Sequence, residues 1–228
     1  MANIDPEYVK ALNEYLEQDD DVMEPDEDMT IEIGLEGNVD VSEVRSTEQA
    51  LLYIVVDKSG SMRNNRLEQG VVEGLKEVRK VVNGSKELDY IQTSMTFFGS
   101  TLDMRPFQYG ENIDISYEAN EGATRLYDAI VASCKNMVSQ YDKMQNENKT
   151  KGVMLIFTDG GENGSKDNSL LDVQTSLKEL SDRKIPYLVA AFDGMDLSGL
   201  GDSLGVEPIP IKDEHQLRRL MGFVSKSL

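Results

Sequence analysis

Three oxygen-bearing side chains follow the most apolar stretch of the chain in quick succession. Asp57, Ser59 and Ser61 come directly after the apolar run Leu51–Val56, and Gly60 separates the two serines. The i, i+2, i+4 spacing, in a loop turned by glycine, can direct three oxygen atoms at one point. Carboxylate and hydroxyl oxygens are hard ligands, which suit Mg²⁺, Mn²⁺ or Ca²⁺ better than zinc or copper. These residues are therefore candidate metal ligands.

Two more oxygen-bearing side chains are expected at the same edge of a sheet. Asp159 follows the second apolar run, Val153–Phe157, and Thr124 follows a Gly-Ala pair at the predicted start of a helix. Ligands of parallel sheets bind at the carboxyl ends of strands, so Asp159 should lie near Asp57. Thr124 could reach the same edge, although its position also suits a helix cap. Two carboxylates and three hydroxyls thus form the candidate set.

The elements that would position these residues alternate between strands and helices. Continuous apolar runs predict strands buried on both faces, and apolar residues at steps of three and four predict helices. The predicted strands are 51–56, 90–98, 102–107, 152–158, 186–192 and 208–211, and the predicted helices are 67–82, 124–141, 171–184 and one around 217–224. This alternation predicts an α/β fold with a mainly parallel, doubly wound sheet covered by helices on both faces.

The three motifs together resemble the metal-ion-dependent adhesion site of von Willebrand factor A (VWA) domains. The matching runs are Val-Asp-Lys-Ser-Gly-Ser-Met from residue 56, Gly-Ala-Thr-Arg-Leu-Tyr-Asp-Ala from 122, and Phe-Thr-Asp-Gly-Gly-Glu-Asn from 157. The resemblance covers about residues 47 to 225 and fills all five ligand positions. It implies a VWA domain over residues 47–228, with one antiparallel edge strand, preceded by an acidic segment over residues 1–46.

The resemblance also implies a division of labour within the site. Ser59, Ser61 and Thr124 would contact Mg²⁺ directly, whereas Asp57 and Asp159 would act mainly through bound water. One coordination position would remain open for an Asp or Glu of a protein partner. Neutral hydroxyl ligands leave the charge of the ion poorly neutralised, so it stays attractive to an added carboxylate.

Four further residues are expected around the metal ligands. Gly60 and Gly160 belong to the two metal-binding loops, and Glu162 is expected at the rim of the site. Asp128, one turn into the predicted helix, is expected to brace the loops rather than to bind the metal. The expected partner is a protein. Because intracellular relatives often act as adaptors, an ATPase or another assembly component is a candidate, and stand-alone bacterial or phage proteins are the nearest in style.

Charge restricts the partners and divides the chain. The sequence has 228 residues and a formal net charge of −19, which argues against nucleic-acid binding. Residues 1–45 hold 15 acidic residues against Lys10 and Arg45, so most of the excess lies there. A short helix over 6–17 and a weak strand near 31–35 are predicted within it. No apolar run spans a membrane, no signal peptide is recognisable, and Cys134 is the only cysteine, so we expect a cytoplasmic protein.

Other readings of the motifs are weaker. An EF-hand loop starting at Asp57 would need glycine where Met62 stands, and an aspartyl-phosphate phosphatase usually has a second Asp where Ser59 stands. A metal-dependent hydrolase would use more carboxylates than this set offers, and the single histidine, His215, lies far from the motifs. A metal that only stabilises the fold of an assembly protein remains an alternative to a binding module.

Overall fold

The computed structural model describes residues 10, 12, 14, 16, 48–64, 67–84, 90–109, 113, 115–120, 122–145, 149–159, 161–192 and 197–226. Strands and helices alternate along most of this part of the chain. The strands are β1 (Glu48–Asp57), β2 (Ile91–Phe98), β3 (Leu102–Met104), β4 (Gln108–Tyr109), β5 (Lys149–Thr158), β6 (Tyr187–Phe192) and β7 (Ile209–Ile211). The helices are α1 (Gly60–Asn64), α2 (Glu68–Gly84), α3 (Leu126–Gln145), α4 (Leu170–Asp182), α5 (Leu197–Leu204) and α6 (Glu214–Lys226).

The described strands form one sheet with β1 at its centre. The order is β3-β2-β1-β5-β6-β7, and β4 also pairs with β2. The strands β2, β1, β5, β6 and β7 run parallel, whereas β3 and β4 run antiparallel to β2. The doubly wound, mainly parallel sheet with an antiparallel edge is therefore confirmed. The predicted edge strand over 102–107 is shorter, ending at Met104, and the separate strand β4 follows it at Gln108–Tyr109.

Side chains of β1 alternate between two cores. Leu52, Ile54 and Val56 pack in one core with residues of α2 and α6, including Val71 and Leu217. The odd-numbered Leu51, Tyr53 and Val55 pack in the other core with residues of α3 and α4. All six side chains are fully buried, which explains why the run is apolar without a polar–apolar alternation.

Two helices were not predicted from the sequence. The short helix α1 begins at Gly60, between the two serines of the first motif. The helix α5 contains Gly199 and Gly201, and glycine lowers helix propensity. A side chain at Gly201 would clash with the Val206 carbonyl, 2.8 Å from the position of a β-carbon, so the returning chain requires glycine there.

Part of the N-terminal segment joins the main core. Lys10, Leu12, Glu14 and Leu16 are helical, and Leu12 and Leu16 are buried in the core formed with α2 and α6. The acidic block over 19–28 and the predicted strand near 31–35 lie outside the described residues. Of the helices described, none is both long and apolar enough to cross a bilayer.

Candidate functional site

The first motif forms a compact loop at the carboxyl end of β1. Asp57 is the last residue of the strand and is fully buried. One of its oxygens, Oδ1, accepts a hydrogen bond from the Ser59 amide at 2.8 Å, and Oδ2 accepts one from the Thr158 hydroxyl at 2.9 Å. The Ser59 and Ser61 hydroxyls lie 2.9 Å apart. The i, i+2, i+4 spacing therefore does bring two hydroxyls together beside an oriented carboxylate.

Burial dominates the electrostatics of Asp57. Loss of solvent raises the pKa of this carboxyl to about 6, against hydrogen bonds from Ser59 and Thr158 that favour the charged form. The nearby charge of Asp159 adds to the rise. A buried carboxylate whose pKa is raised by burial and by a neighbouring negative charge is in a setting that a cation would stabilise.

A segment between β4 and α3 crosses over this loop and holds its backbone. The Tyr117 hydroxyl donates to the Asp57 carbonyl at 2.6 Å, and the Asn120 amide donates to the Lys58 carbonyl at 3.1 Å. The Lys58 amide in turn donates to the Phe98 carbonyl at the end of β2, at 2.7 Å. Tyr117 was not predicted, because nothing in its local pattern marks it as a neighbour of Asp57.

Thr124 lies between the β2–β3 turn and the loop that follows β5. The amide of Ala123 donates to the Ser100 hydroxyl and that of Arg125 to the Gly99 carbonyl, both at 3.1 Å. The Thr124 amide points the other way and donates to Asn163 Oδ1 at 2.8 Å. Thr124 is buried at 3% exposure, so its side chain is held inside the carboxyl edge of the sheet.

The third motif places a carboxylate oxygen in an unusual environment. Asp159 is 1% exposed, and its Oδ2 atom has no hydrogen-bond partner among the described residues. A β-carbon built on Gly161 would lie 3.7 Å from Thr124 Oγ1 and 3.9 Å from Asp159 Oδ1. Both oxygens therefore border the space that the missing side chain leaves. Gly160 lies outside the described residues.

Glu162 caps helix α3. Its carboxylate accepts hydrogen bonds from the Tyr127 amide at 2.9 Å and from the Ser165 hydroxyl at 2.7 Å. The Ser165 hydroxyl also accepts from the Asp128 amide at 3.1 Å. Because Glu162 and Ser165 satisfy these free amides, the cap that the sequence suggested for Thr124 comes from the β5–α4 loop instead.

Asp128 binds the same loop from the other side. Its carboxylate accepts bonds from the amides of Lys166 (2.9 Å), Asp167 (3.2 Å) and Asn168 (2.9 Å), from Asn168 Nδ2 (2.9 Å) and from Arg125 Nε (2.9 Å). Burial alone would raise the pKa of Asp128, but the hydrogen bonds outweigh it and lower the pKa to about 2. This carboxylate is fully engaged in bracing the loop.

Pairwise contacts link the predicted residues at the carboxyl ends of β1 and β5. Asp57, Ser59 and Ser61 share a loop, Asp57 and Asp159 interact electrostatically, and Thr124 and Asp159 border the same space beside Gly161. Among the described residues, no group of three or more His, Cys, Asp or Glu side chains is placed to hold a metal ion. The unpartnered Asp159 Oδ2 and the space at Gly161 fit such an ion.

Comparison with solved structures shows what this arrangement is similar to. The pilus adhesin SpaC of Lactobacillus rhamnosus GG aligns with a TM-score of 0.63 at 12% identity over 80% of this chain and 31% of its own. A von Willebrand factor type A protein of Catenulispora acidiphila aligns with a TM-score of 0.57 at 12% identity over 78% of this chain and 42% of its own. The fold is VWA-like.

A third solved structure with a similar fold contains a metal ion. Proximal thread matrix protein 1 of the mussel byssus, with a zinc-occupied MIDAS (metal-ion-dependent adhesion site) motif, aligns with a TM-score of 0.53 at 15% identity over 80% of this chain and 46% of its own. This chain thus spans less than half the length of each of the three proteins. No family model and no curated protein matches the sequence.

Proposed function

We propose that this chain is a protein–protein interaction module that depends on a divalent cation and binds an acidic residue of its partner. The observation that carries the proposal is the buried Oδ2 atom of Asp159, which has no partner among the described residues, while the Oδ1 atom of the same carboxylate borders the space at Gly161 with Thr124 Oγ1. A buried polar atom without a partner costs free energy unless something else satisfies it. The VWA-like fold and the zinc-occupied site of the byssus protein support a cation as that group.

The residues that would hold the cation are the five of the sequence motifs. Ser59, Ser61 and Thr124 offer hydroxyl oxygens, and Asp57 and Asp159 offer charge and orientation. When bound, the cation supplies an electrophilic point that attracts a carboxylate. Mg²⁺ is the cation we propose, with Mn²⁺ or Ca²⁺ as substitutes, because every candidate ligand is a hard oxygen.

The rest of the arrangement favours binding over catalysis. His215 lies in α6, with its Nδ1 atom 3.3 Å from Arg218 Nη2 and no place in the motif loops. Asp128 and Glu162 are occupied by loop amides, so they are poor candidates for moving a proton. A metal-dependent hydrolase is therefore the less favoured alternative. We further propose a cytoplasmic location and a protein partner such as an ATPase or other assembly component.

Capture of a partner in magnesium or in EDTA tests the proposal. Immobilised wild-type protein should retain a protein in magnesium and release it in EDTA, and Asp57→Ala should retain none. Since Asp57 is fully buried, Thr124→Val is a gentler variant that removes one hydroxyl at nearly constant volume. Thr93→Val is its matched control, because Thr93 is equally buried at 3% exposure and its hydroxyl has no partner among the described residues.

The outcome separates a binding site from a purely structural metal. In the proposed module, Thr124→Val loses the captured protein while Thr93→Val keeps it, and an Asp or Glu of the partner is essential. If Mg²⁺ raises the melting temperature but capture is the same in EDTA, the metal serves the fold alone. Phosphatase or nuclease activity with Mn²⁺ that disappears in Asp57→Ala would favour the hydrolase.

A further inference from the structure

Asn163 contacts the backbone of Thr124 through two opposite hydrogen bonds. Its side-chain Oδ1 accepts from the Thr124 amide at 2.8 Å, and its own amide donates to the Thr124 carbonyl at 3.1 Å. The Gly164 amide donates to the same carbonyl at 3.0 Å. Both polar groups of the Thr124 backbone are therefore bound by the loop that follows Asp159.

The neighbours of Thr124 are held from a different direction. Ala123 and Arg125 donate to the β2–β3 turn, at Ser100 and Gly99. The amides of Ala123 and Arg125 therefore donate to the β2–β3 turn, whereas the Thr124 amide between them donates to the loop that follows Asp159. Asn163, four residues after Asp159, therefore links the backbone of Thr124 to the loop that carries Asp159.

We infer that Asn163 is a positioning residue that sets the orientation of Thr124 toward Asp159 before a cation binds. This inference rests on the proposed cation site. Asn163 itself is exposed, and its Oδ1 atom is used by the Thr124 amide, so it acts through Thr124 rather than as a ligand. Residues that orient metal ligands typically change metal affinity by about 10- to 100-fold when removed.

The role requires an acceptor at this position and not a particular charge. Asn163→Asp keeps an oxygen that can accept from the Thr124 amide. Asn163→Ala removes the acceptor, and Asn163→Leu removes it while keeping nearly the same size. The backbone bond from the residue-163 amide to the Thr124 carbonyl remains in all three variants. The comparison therefore isolates one hydrogen bond.

The test is titration with Mn²⁺ alone, following the free ion by electron paramagnetic resonance, with melting temperatures measured in EDTA. Asn163→Ala and Asn163→Leu should bind Mn²⁺ roughly tenfold more weakly, and Asn163→Asp should bind close to wild type. Melting temperatures in EDTA should fall for Asn163→Ala and Asn163→Leu, because both leave the Thr124 amide without its acceptor, and should be restored in Asn163→Asp. The Mn²⁺ titration is therefore done well below these melting temperatures, where it reports the affinity of the folded protein. Thr124→Val and Thr93→Val serve as references.

Failure of this inference is distinct from failure of the proposed function. If wild type binds no Mn²⁺, or if Thr124→Val binds as wild type does, the cation site itself is wrong. If Thr124→Val is weak but Asn163→Ala and Asn163→Leu match wild type, Asn163 has no positioning role. The same conclusion follows if Asn163→Asp is as weak as Asn163→Ala.

Discussion

The two loops that approach the candidate cation site are built in opposite ways. In the loop after β1, bonds between residues two positions apart arrange the side-chain oxygens, as from the Ser59 amide to Asp57 and between Ser59 and Ser61. The more distant Tyr117 and Asn120 hold only the backbone of this loop. The loop after β5 is tied to the start of α3, 35 to 40 positions earlier in the sequence, by the carboxylate of Asp128 in the helix and by that of Glu162 in the loop. The side chains of one half of the site are therefore arranged by a local motif, whereas the other half depends on contacts between residues far apart in the sequence.

This difference predicts that substitutions in the two halves have different consequences. A change in the β1 loop should weaken cation binding with little effect on stability. A change in Asp128 or Glu162, which brace the β5 loop, should mainly lower the free energy of unfolding and should affect cation binding less. Three substitutions test this difference between the two halves of the site.

Asp128→Asn should have the largest effect on stability. An amide group cannot accept all the bonds that both Asp128 oxygens now accept, and Arg125, 17% exposed, would keep only the exposed Asp167 as an acidic partner. We expect a loss of about 3 kcal/mol in the free energy of unfolding, as for a broken buried ion pair. Urea denaturation at neutral pH measures it. Ser61→Ala, in the β1 loop, should change the same quantity by less than about 0.5 kcal/mol.

The effect of Asp128→Asn should depend on pH. The pKa of Asp128 is lowered in the folded protein to about 2, below the value of about 3.9 of an unperturbed aspartate. Its charged form therefore stabilises the fold fully above about pH 4, and this stabilisation is lost as pH falls toward 2. The difference in stability between wild type and Asp128→Asn should shrink across this range. A constant difference would mean that the bonds to the carboxylate are not what braces the loop.

Gly161→Ala should affect the cation and not the fold. The added methyl would reach ordinary contact distance from Thr124 Oγ1 and Asp159 Oδ1, so it would narrow their shared space without a clash. We expect roughly tenfold weaker Mn²⁺ binding, about 1.4 kcal/mol, with an unchanged melting temperature in EDTA. Gly84→Ala, at a position with nothing within 4 Å, is the matched control. Equal Mn²⁺ affinity of both variants would place the ion elsewhere.

Glu162→Ala should have the smallest effect. It removes the acceptor of the Tyr127 amide at the start of α3 and that of the Ser165 amide in the β5–α4 loop, and loss of a helix cap costs about 1 kcal/mol. Thermal unfolding measures the loss. Glu179→Ala, on the exposed side of α4, should leave the melting temperature unchanged. A loss as large as that of Asp128→Asn would make Glu162, rather than Asp128, the main brace.

The same contrast explains what the sequence could predict. The buried runs of β1 and β5 and the apolar stripes of α2 and α3 are local patterns, so these elements and their topology were predicted. The local motif of Asp57, Ser59 and Ser61 was recognisable for the same reason. The roles of Tyr117 and Asn163 depend on contacts with residues 60 and 39 positions away, which no local pattern encodes. Helix α5 was not predicted because Gly199 and Gly201 lower helix propensity. Gly201 is required by its close approach to the Val206 carbonyl, which lies outside the local pattern.

In the proposed site, side chains from the β1 loop, from the β5 loop and from Thr124, just before α3, converge on one cation. The most direct measurement is the anomalous scattering of Mn²⁺ in crystals of the whole chain. We expect one strong peak bounded by the hydroxyls of Ser59, Ser61 and Thr124, with the carboxylates of Asp57 and Asp159 next to it. A map with no peak there, or with manganese bound only by the acidic residues of the N-terminal segment, would contradict it.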